Sequence, residues 1–256
     1  MDNPAYYENF EWEKFHISQI KDKVNKILTI IPDDVKSIID IGCGNGIITN
    51  VLNDKYNVTA VDRSKKALSF VKAKKIQSDC SNIPIDDNSF DMVFSSELLE
   101  HLDENTFYKT LTEFKRLTKK YILISVPNGE NLKKTDIQCP ECKFIYNRVY
   151  HLRSFNSKDF ESYFKDFEFK YYETFGKKIR YYNPLISKIK QKISPPKSWI
   201  PYYWTPKNKR NTLCPKCEHK FSYEYKFNIL SFACDILNII ISPKKPYWLF
   251  ILLEKT

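Results

Sequence analysis

A doubly wound α/β sheet interrupted by a split, cysteine-paired insertion is the fold class this sequence predicts, on three observations. Five short apolar runs alternate with helical patterns over roughly the first 125 residues. The first run leads directly into Asp40-Ile41-Gly42-Cys43-Gly44-Asn45-Gly46. Two Cys-Pro-x-Cys pairs lie further on, where the alternation fails.

Taken in order, residues 14–29 read as an opening helix, with Phe15, Ile17, Ile20, Val24 and Ile27 near helical spacing. Residues 35–41 form a buried parallel strand ending in the glycine turn, and 47–52 start the next helix. A second strand, 56–61, closes on Asp62. A helix over 64–73 and a third strand over 76–78 follow, the strand ending at Asp79. Pro84, Asp86, Asp87 and Asn88 make a loop before a fourth strand at 90–94. A helical stripe at 105–117 leads to the fifth strand at 121–126. Residues 128–150 carry the first cysteine pair and no helix. A helix at 157–164 and a strand at 167–175 resume the pattern. A long basic stretch with Pro184, Pro195, Pro196, Pro201 and Pro206 holds the second pair. An amphipathic helix at 225–241 and a closing edge strand at 248–253 complete the chain. The expected organisation is a core over 1–129 with its N-terminal helix, a first cysteine insertion at 130–150, core elements at 151–176, a basic second insertion at 177–244 and a final core strand at 245–256.

Composition fits this reading. Of 256 residues, 42 % are apolar and 28 % charged, which suits a globular protein and excludes wholesale disorder. The net charge is +10, but 13 Lys or Arg against two acids, Glu218 and Glu224, fall between 177 and 226. An anionic partner is therefore expected at that insertion. The acidic, aromatic N-terminus does not read as a secretory signal, and Asn228, Ser231, Asp235 and Asn238 break the most apolar stretch. A soluble cytoplasmic protein, with peripheral membrane contact as an option, is the expectation. Seven cysteines, four of them paired as CxxC, fit a reducing compartment and a metal site.

Glycines between a buried strand and a helix let a ligand approach backbone N–H groups at the helix N-terminus. A dinucleotide fingerprint needs a third glycine at position 47, which is Ile. No phosphate-binding lysine follows, which argues against a P-loop. Asp62, twenty residues after Gly42 at the end of the next strand, is spaced to accept ribose hydroxyls, its alternative being a strand cap. Asp79 is placed to receive the amine of an adenine, with the Cys80 backbone beside the ring, or else to form a turn. Asp40 can hold the amino end of a zwitterionic cofactor. Cys43 reads as a small packing residue.

DIGCGNG, AVDRS, SDCSNIP and FDMVFSSELLEHL together resemble the class I S-adenosylmethionine-dependent methyltransferases, in the type 11 group around the ubiquinone and menaquinone enzymes. The resemblance covers about residues 37–128 and implies a Rossmann-like methyltransferase sheet. It implies contacts from Gly42, Gly44 and Gly46 to the methionine part of S-adenosyl-L-methionine, from Asp62 to its ribose, and from Asp79 and Cys80 to adenine. The substrate is then expected above the fourth and fifth strands, where Ser95, Ser96, Glu97 and Asn128 lie. His101 is the best general-base candidate, with Ser96 and Glu97 as further catalytic candidates and pocket support as the alternative for all three. No Asn-Pro-Pro-Tyr or Pro-Cys motif of DNA methyltransferases stands there. Tyr6, Tyr7 and Trp12 are candidates for a lid over the cofactor, or for packing of the first helix.

Cys139, Cys142, Cys214 and Cys217 supply four thiolates, the number and softness that tetrahedral Zn2+ prefers, with free redox dithiols as the alternative. His151 and His219 are potential substitutes. Such a closed site folds the insertion and leaves methyl transfer to the core. The segment His151-Leu152-Arg153-Ser154-Phe155 resembles one that follows paired cysteines in methyltransferases near polysaccharide or lipid-linked glycan genes, which implies a sugar-linked or otherwise anionic small substrate rather than a protein one. The leading expectation is a small, lipid-linked or sugar-linked acceptor. The basic region 177–226, with Tyr181, Tyr182, Trp199, Tyr202, Tyr203 and Trp204 among its lysines, also suits RNA. The competing readings are an RNA methyltransferase and a catalytically silent RNA-binding or scaffold protein. The helix at 225–241 offers a third use, docking to an anionic membrane.

Overall fold

The computed structural model describes residues 7–8, 10–14, 16–193, 207, 210–224 and 227–256. They fall into two compact units: 7–128, 155–176 and 247–256 in the larger, 129–154 and 177–246 in the smaller.

The larger unit contains α1 (Lys21–Ile30), β1 (Ser37–Ile41), α2 (Ile47–Asn53), β2 (Asn57–Asp62), α3 (Lys65–Leu68), β3 (Lys74–Gln77), β4 (Phe90–Ser96), α4 (Glu104–Leu117), β5 (Thr118–Pro127) and α5 (Ser157–Tyr163), with most of β8 (Phe167–Arg180) and β11 (Lys244–Lys255). The sheet order is β3-β2-β1-β4-β5-β11-β8. Strands β1 to β5 pair in parallel, and β11 runs antiparallel to β5.

Successive strand residues feed two cores, one on each face, as the period of two requires. Ile39, Val93, Ile122 and Ile124 join α4 residues Phe107, Leu111 and Phe114 on one side. Ile38, Phe94 and Leu123 join Ile27 of α1 and Leu52 of α2 on the other. Helix α4 is set by its sequence: Asp103 accepts the Thr106 N–H as N-cap, and Lys115 and Arg116 occupy its last turn.

Three expectations change. The opening helix is shorter than residues 14–29. Two 3-10 turns, Trp12–Lys14 and Ile17–Gln19, precede α1, and Ile17 remains exposed rather than continuing the apolar stripe. Phe15 lies outside the described residues. The helix after β2 is a single turn, because the Asn50 side chain takes the Phe70 carbonyl and the Lys72 N–H that a longer helix would pair internally.

The last strand is not at the edge. It inserts between β5 and β8, sending Leu249, Ile251 and Leu253 into one core and Phe250 and Leu252 into the other. An uninterrupted apolar run is the mark of a strand covered on both faces. The edge strand on this side is β8. Its Gly176, at φ +94°, lies so close to Trp248 that an added Cβ would stand 2.3 Å from the ring.

The smaller unit has two hairpins, β6 (Asp136–Gln138) with β7 (Ile145–Asn147), and β9 (Asn211–Leu213) with β10 (Lys220–Ser222). The Tyr146 hydroxyl meets that of Thr212 at 3.2 Å, and Tyr150 donates to the Leu213 carbonyl, joining one hairpin to the other. The unit also contains α6 (Pro184–Ile193), which the proline-rich reading of this stretch missed, and α7 (Ile229–Ile241). Residues 225 and 226 of the expected second helix lie outside the described set. No described helix is long and apolar enough to cross a membrane.

Candidate functional site

The glycine loop is assembled from the ends of two parallel neighbours. At the end of β1 the chain turns, and the N–H groups of Gly42 and Cys43 both donate to the Val61 carbonyl of β2, at 2.8 and 3.1 Å. Gly42, Gly44 and Gly46 then hold φ of +78°, +54° and +72°, in the left-handed region that a side chain disfavours. At Gly44 an added Cβ would also stand 2.8 Å from the Trp12 ring.

Asp62 locks this loop. One carboxylate oxygen accepts the Gly44 N–H at 2.9 Å and the other the Ser64 N–H at 2.8 Å. Burial raises its carboxyl above the ordinary value, and these N–H groups oppose the rise. Asp40, within β1, is fully buried and accepts the Thr49 hydroxyl at 2.6 Å. Burial lifts its carboxyl to about 7, with the Thr49 bond opposing and nearby Asp62 adding to the rise.

After β3, the Ser78 N–H donates to the Asp62 carbonyl at 3.1 Å. One Asp79 oxygen accepts both the N–H and the hydroxyl of Ser81, a side-chain turn. The Cys80 sulfur receives the Thr110 hydroxyl at 3.2 Å. The C-terminal ends of three adjacent strands thus bring Asp40, the glycines, Asp62, Asp79 and Cys80 to one rim. Ligands bind at this end of an open α/β sheet.

Tyr7 and Trp12 lie on that rim. Asn45 donates to the Trp12 carbonyl, and the Trp12 indole N–H donates to the Tyr7 carbonyl, both at 2.8 Å. The Tyr7 ring stands edge-on to His101 at 5.9 Å, under the Arg63 guanidinium at 4.9 Å. Tyr7 and Trp12 thus lie against the glycine-loop rim; Tyr6 lies outside the described residues.

At the end of β4, Ser95 is used structurally, its hydroxyl donating to the Ile41 carbonyl. Ser96 pairs in register with Ser125 of β5, and both hydroxyls are buried without a hydrogen-bond partner. Glu97 follows at φ +56°, a strained conformation for a residue with a side chain. Its carboxylate pairs with Lys23 at 2.9 Å, and the Lys23 ammonium, 2 % exposed, sits 4.8 Å from the centre of the Trp248 ring. The pairing fixes the direction of the Glu97 side chain. His101 lies in a 3-10 turn, Leu99–His101, beside Tyr7.

Sequence reasoning missed Lys23, Trp248 and Ser125. Lys23 was detectable, since it lies three residues after Ile20 and four before Ile27, on the apolar stripe of α1.

In the smaller unit, the sulfurs of Cys139, Cys142, Cys214 and Cys217 all lie within 4.8 Å of one another. The closest pairs, Cys139 with Cys217 and Cys142 with Cys214, are 3.7 and 3.6 Å apart. A tetrahedron with metal–sulfur bonds of about 2.3 Å has sulfur–sulfur edges of about 3.8 Å. The four residues could therefore hold a tetrahedral cation.

The two knuckles share one backbone pattern. The Cys139 N–H donates to the Phe144 carbonyl and the Lys143 N–H returns to the Cys139 carbonyl; the Cys214 N–H donates to His219 and the Glu218 N–H returns to Cys214. Lys143 and Glu218, equivalent in the two turns, are both left-handed. The repeat thus extends beyond the cysteine motifs to whole hairpins. His151 is engaged by the Glu130 carboxylate and His219 stacks on Phe221, so neither belongs to the sulfur cluster. Of the aromatics proposed for RNA, Tyr182 is buried and donates to Asp235. Trp199, Tyr202, Tyr203 and Trp204 lie outside the described residues.

The buried Lys23 makes a prediction. Glu97→Gln leaves its ammonium without a counter-charge and should cost about 3 kcal/mol in urea unfolding, while adding Lys23→Met should recover most of the loss. A single-variant cost under about 0.5 kcal/mol would remove the pair's role in fixing the end of β4.

The family model described as a methyltransferase domain, type 11, matches residues 39–123. An uncharacterized protein of Methanocaldococcus jannaschii is 32 % identical over 181 residues, spanning 68 % of this chain and 70 % of that protein. The ribosomal RNA small subunit methyltransferase A of Campylobacter hominis is 32 % identical over 88 residues, 34 % of this chain and 30 % of that one. Among solved structures, a SAM-dependent methyltransferase from Archaeoglobus fulgidus superposes with a TM-score of 0.59 at 17 % identity, covering 98 % of this chain and 100 % of that one. With the strand order, the glycine loop and this family match in hand, the chain belongs to the class I S-adenosylmethionine-dependent methyltransferases of the type 11 family.

Proposed function

We propose that this methyltransferase acts on a small, lipid-linked or sugar-linked metabolite, transferring the methyl group to an oxygen, nitrogen or activated carbon. The observation that carries the cofactor assignment is the left-handed glycine loop bonded through Gly44 to the carboxylate of Asp62 on the neighbouring strand. Gly42, Gly44 and Gly46 offer backbone to the methionine part of S-adenosyl-L-methionine, while Leu98, Trp12 and Val71 fill the space their missing side chains free. Asp62 has lone pairs left for ribose hydroxyls beyond its two backbone donors. The second Asp79 oxygen and the Cys80 backbone serve adenine, and buried Asp40 favours the ammonium end.

When bound, the cofactor supplies an already activated methyl, so the chain has to align the acceptor and exclude water. The unpartnered hydroxyls of Ser96 and Ser125 offer polar anchors at the ends of β4 and β5. Glu97, neutralised by Lys23, orients rather than abstracts. His101, beside the Tyr7 ring, is the group left to accept a proton from the acceptor. Tyr7 and Trp12 exclude water from the rim. The four cysteines would hold a structural zinc ion joining the two hairpins, which would leave methyl transfer to the larger unit's residues.

The 88-residue likeness to a ribosomal RNA enzyme supports RNA as a second reading, although two thirds of this chain lies outside that match. Loss of charge-assisted bonds distinguishes the cofactor site. Calorimetry with S-adenosylhomocysteine should show binding that weakens roughly tenfold to a hundredfold in Asp62→Asn, at unchanged secondary structure. Equal affinity in the variant would reject Asp62 as the ribose ligand.

For the metal, elemental analysis of protein purified without added metal should give one zinc per chain. Cys139→Ser with Cys214→Ser should lose it and lower the melting temperature of the smaller unit. Metal-free protein with an unchanged melt would reject a structural zinc.

A further inference from the structure

The helical pair of the smaller unit is built with its polarity inverted. Along α7 the buried positions are Ser231, Cys234, Asp235 and Asn238, a mostly polar stripe at helical spacing. Asp235 accepts both the Tyr182 hydroxyl and the Lys190 ammonium of α6 at 2.6 Å. The Asn238 side chain bonds the Asn183 N–H, the Tyr181 carbonyl and the Ser242 hydroxyl. Lys190 and Asp235 are 4 % and 5 % exposed. Polar groups thus hold the two helices together from within.

The opposite face of α7 is apolar and bare. Ile229, Ile236 and Ile240, with Ala233 at the intervening helical position, are exposed, Ile240 to 74 %. On α6, Leu185, Ile189 and Ile193 are also exposed at spacings of four. An ordinary surface helix buries such a stripe and exposes its polar one.

Charge identifies what covers the face. Lys177, Lys178, Lys188, Lys192, Lys244 and Lys245 are exposed on or next to these helices. Within 177–193 and 227–246 the only acid is Asp235, which is buried against Lys190. A second copy meeting this face two-fold would set lysine against lysine with no acid to match. RNA would find aliphatic side chains where stacking needs rings. An anionic bilayer supplies both an apolar interior for the isoleucines and negative headgroups for the lysines. At 13 residues α7 is too short to span, so it would lie in the interface plane.

We infer that α6 and α7 form an in-plane anchor that docks the enzyme on membranes rich in anionic lipid. The inference is independent of the acceptor proposed above, because S-adenosylhomocysteine binding in solution reads the cofactor site without lipid.

Cosedimentation of the full chain with phosphatidylcholine vesicles, with and without phosphatidylglycerol, tests it. The wild type should bind the phosphatidylglycerol vesicles and lose at least about tenfold in affinity in Ile229→Asp with Ile240→Asp, and similarly in Lys188→Glu with Lys192→Glu. Because these side chains are exposed, the variants should retain wild-type melting and cofactor binding. No binding of the wild type, or equal binding of the variants, overturns the proposal. So does self-association that the isoleucine variants abolish in protein that ignores vesicles, or RNA binding that they abolish under the same condition.

Discussion

The bond from the Gly44 N–H to the Asp62 carboxylate ties the end of β1 to the end of β2, and much of the cofactor end depends on it. A loop of three left-handed glycines has high conformational entropy when unfolded and needs an external anchor. Asp62 provides the anchor from a rigid parallel neighbour, while the Val61 carbonyl fixes the preceding turn. The same carboxylate sets the start of α3 through Ser64, and its main chain receives Ser78 after β3. One residue therefore organises three strand ends, two through its side chain and one through its main chain.

Next to that anchor stands a second constraint, the ion pair of Lys23 and Glu97. A cation from α1 is buried against Trp248 of β11, and the strained Glu97 is held at the end of β4. Strain at such a position persists only when its surroundings determine it. Lys23 and the Glu97 N–H bond to the Ser125 carbonyl do so together. The smaller unit is organised differently, by duplicated hairpins around four sulfurs and by a helical pair whose inner contacts are polar.

The parallel half of the sheet was legible because buried strands leave unbroken apolar runs and Asp62 falls at a fixed distance from the glycines. The same logic was available for residues 248–253. Their run of five buried side chains, Leu249 to Leu253, already demanded cover on both faces; proximity to the chain end does not determine sheet position. The single turn of α3 was hidden because its terminator, Asn50, lies in the preceding helix. Helix α6 was hidden by prolines around it, although Pro184 stands at its first position, where the missing N–H costs nothing. The four cysteines could be grouped by type and spacing, but their convergence is a property of two hairpins far apart in the chain. Lys23 escaped because a lysine within an apolar stripe reads as an exception until its partner, 74 residues away, is seen.

The position of the bound cofactor is the decisive measurement. A crystal structure with S-adenosylhomocysteine bound should show its ribose on Asp62, its adenine beside Asp79 and Cys80, and its amino acid end on the Gly42 to Gly46 loop. Density for the ligand elsewhere, or with Asp62 bonded only to Gly44 and Ser64, would contradict it.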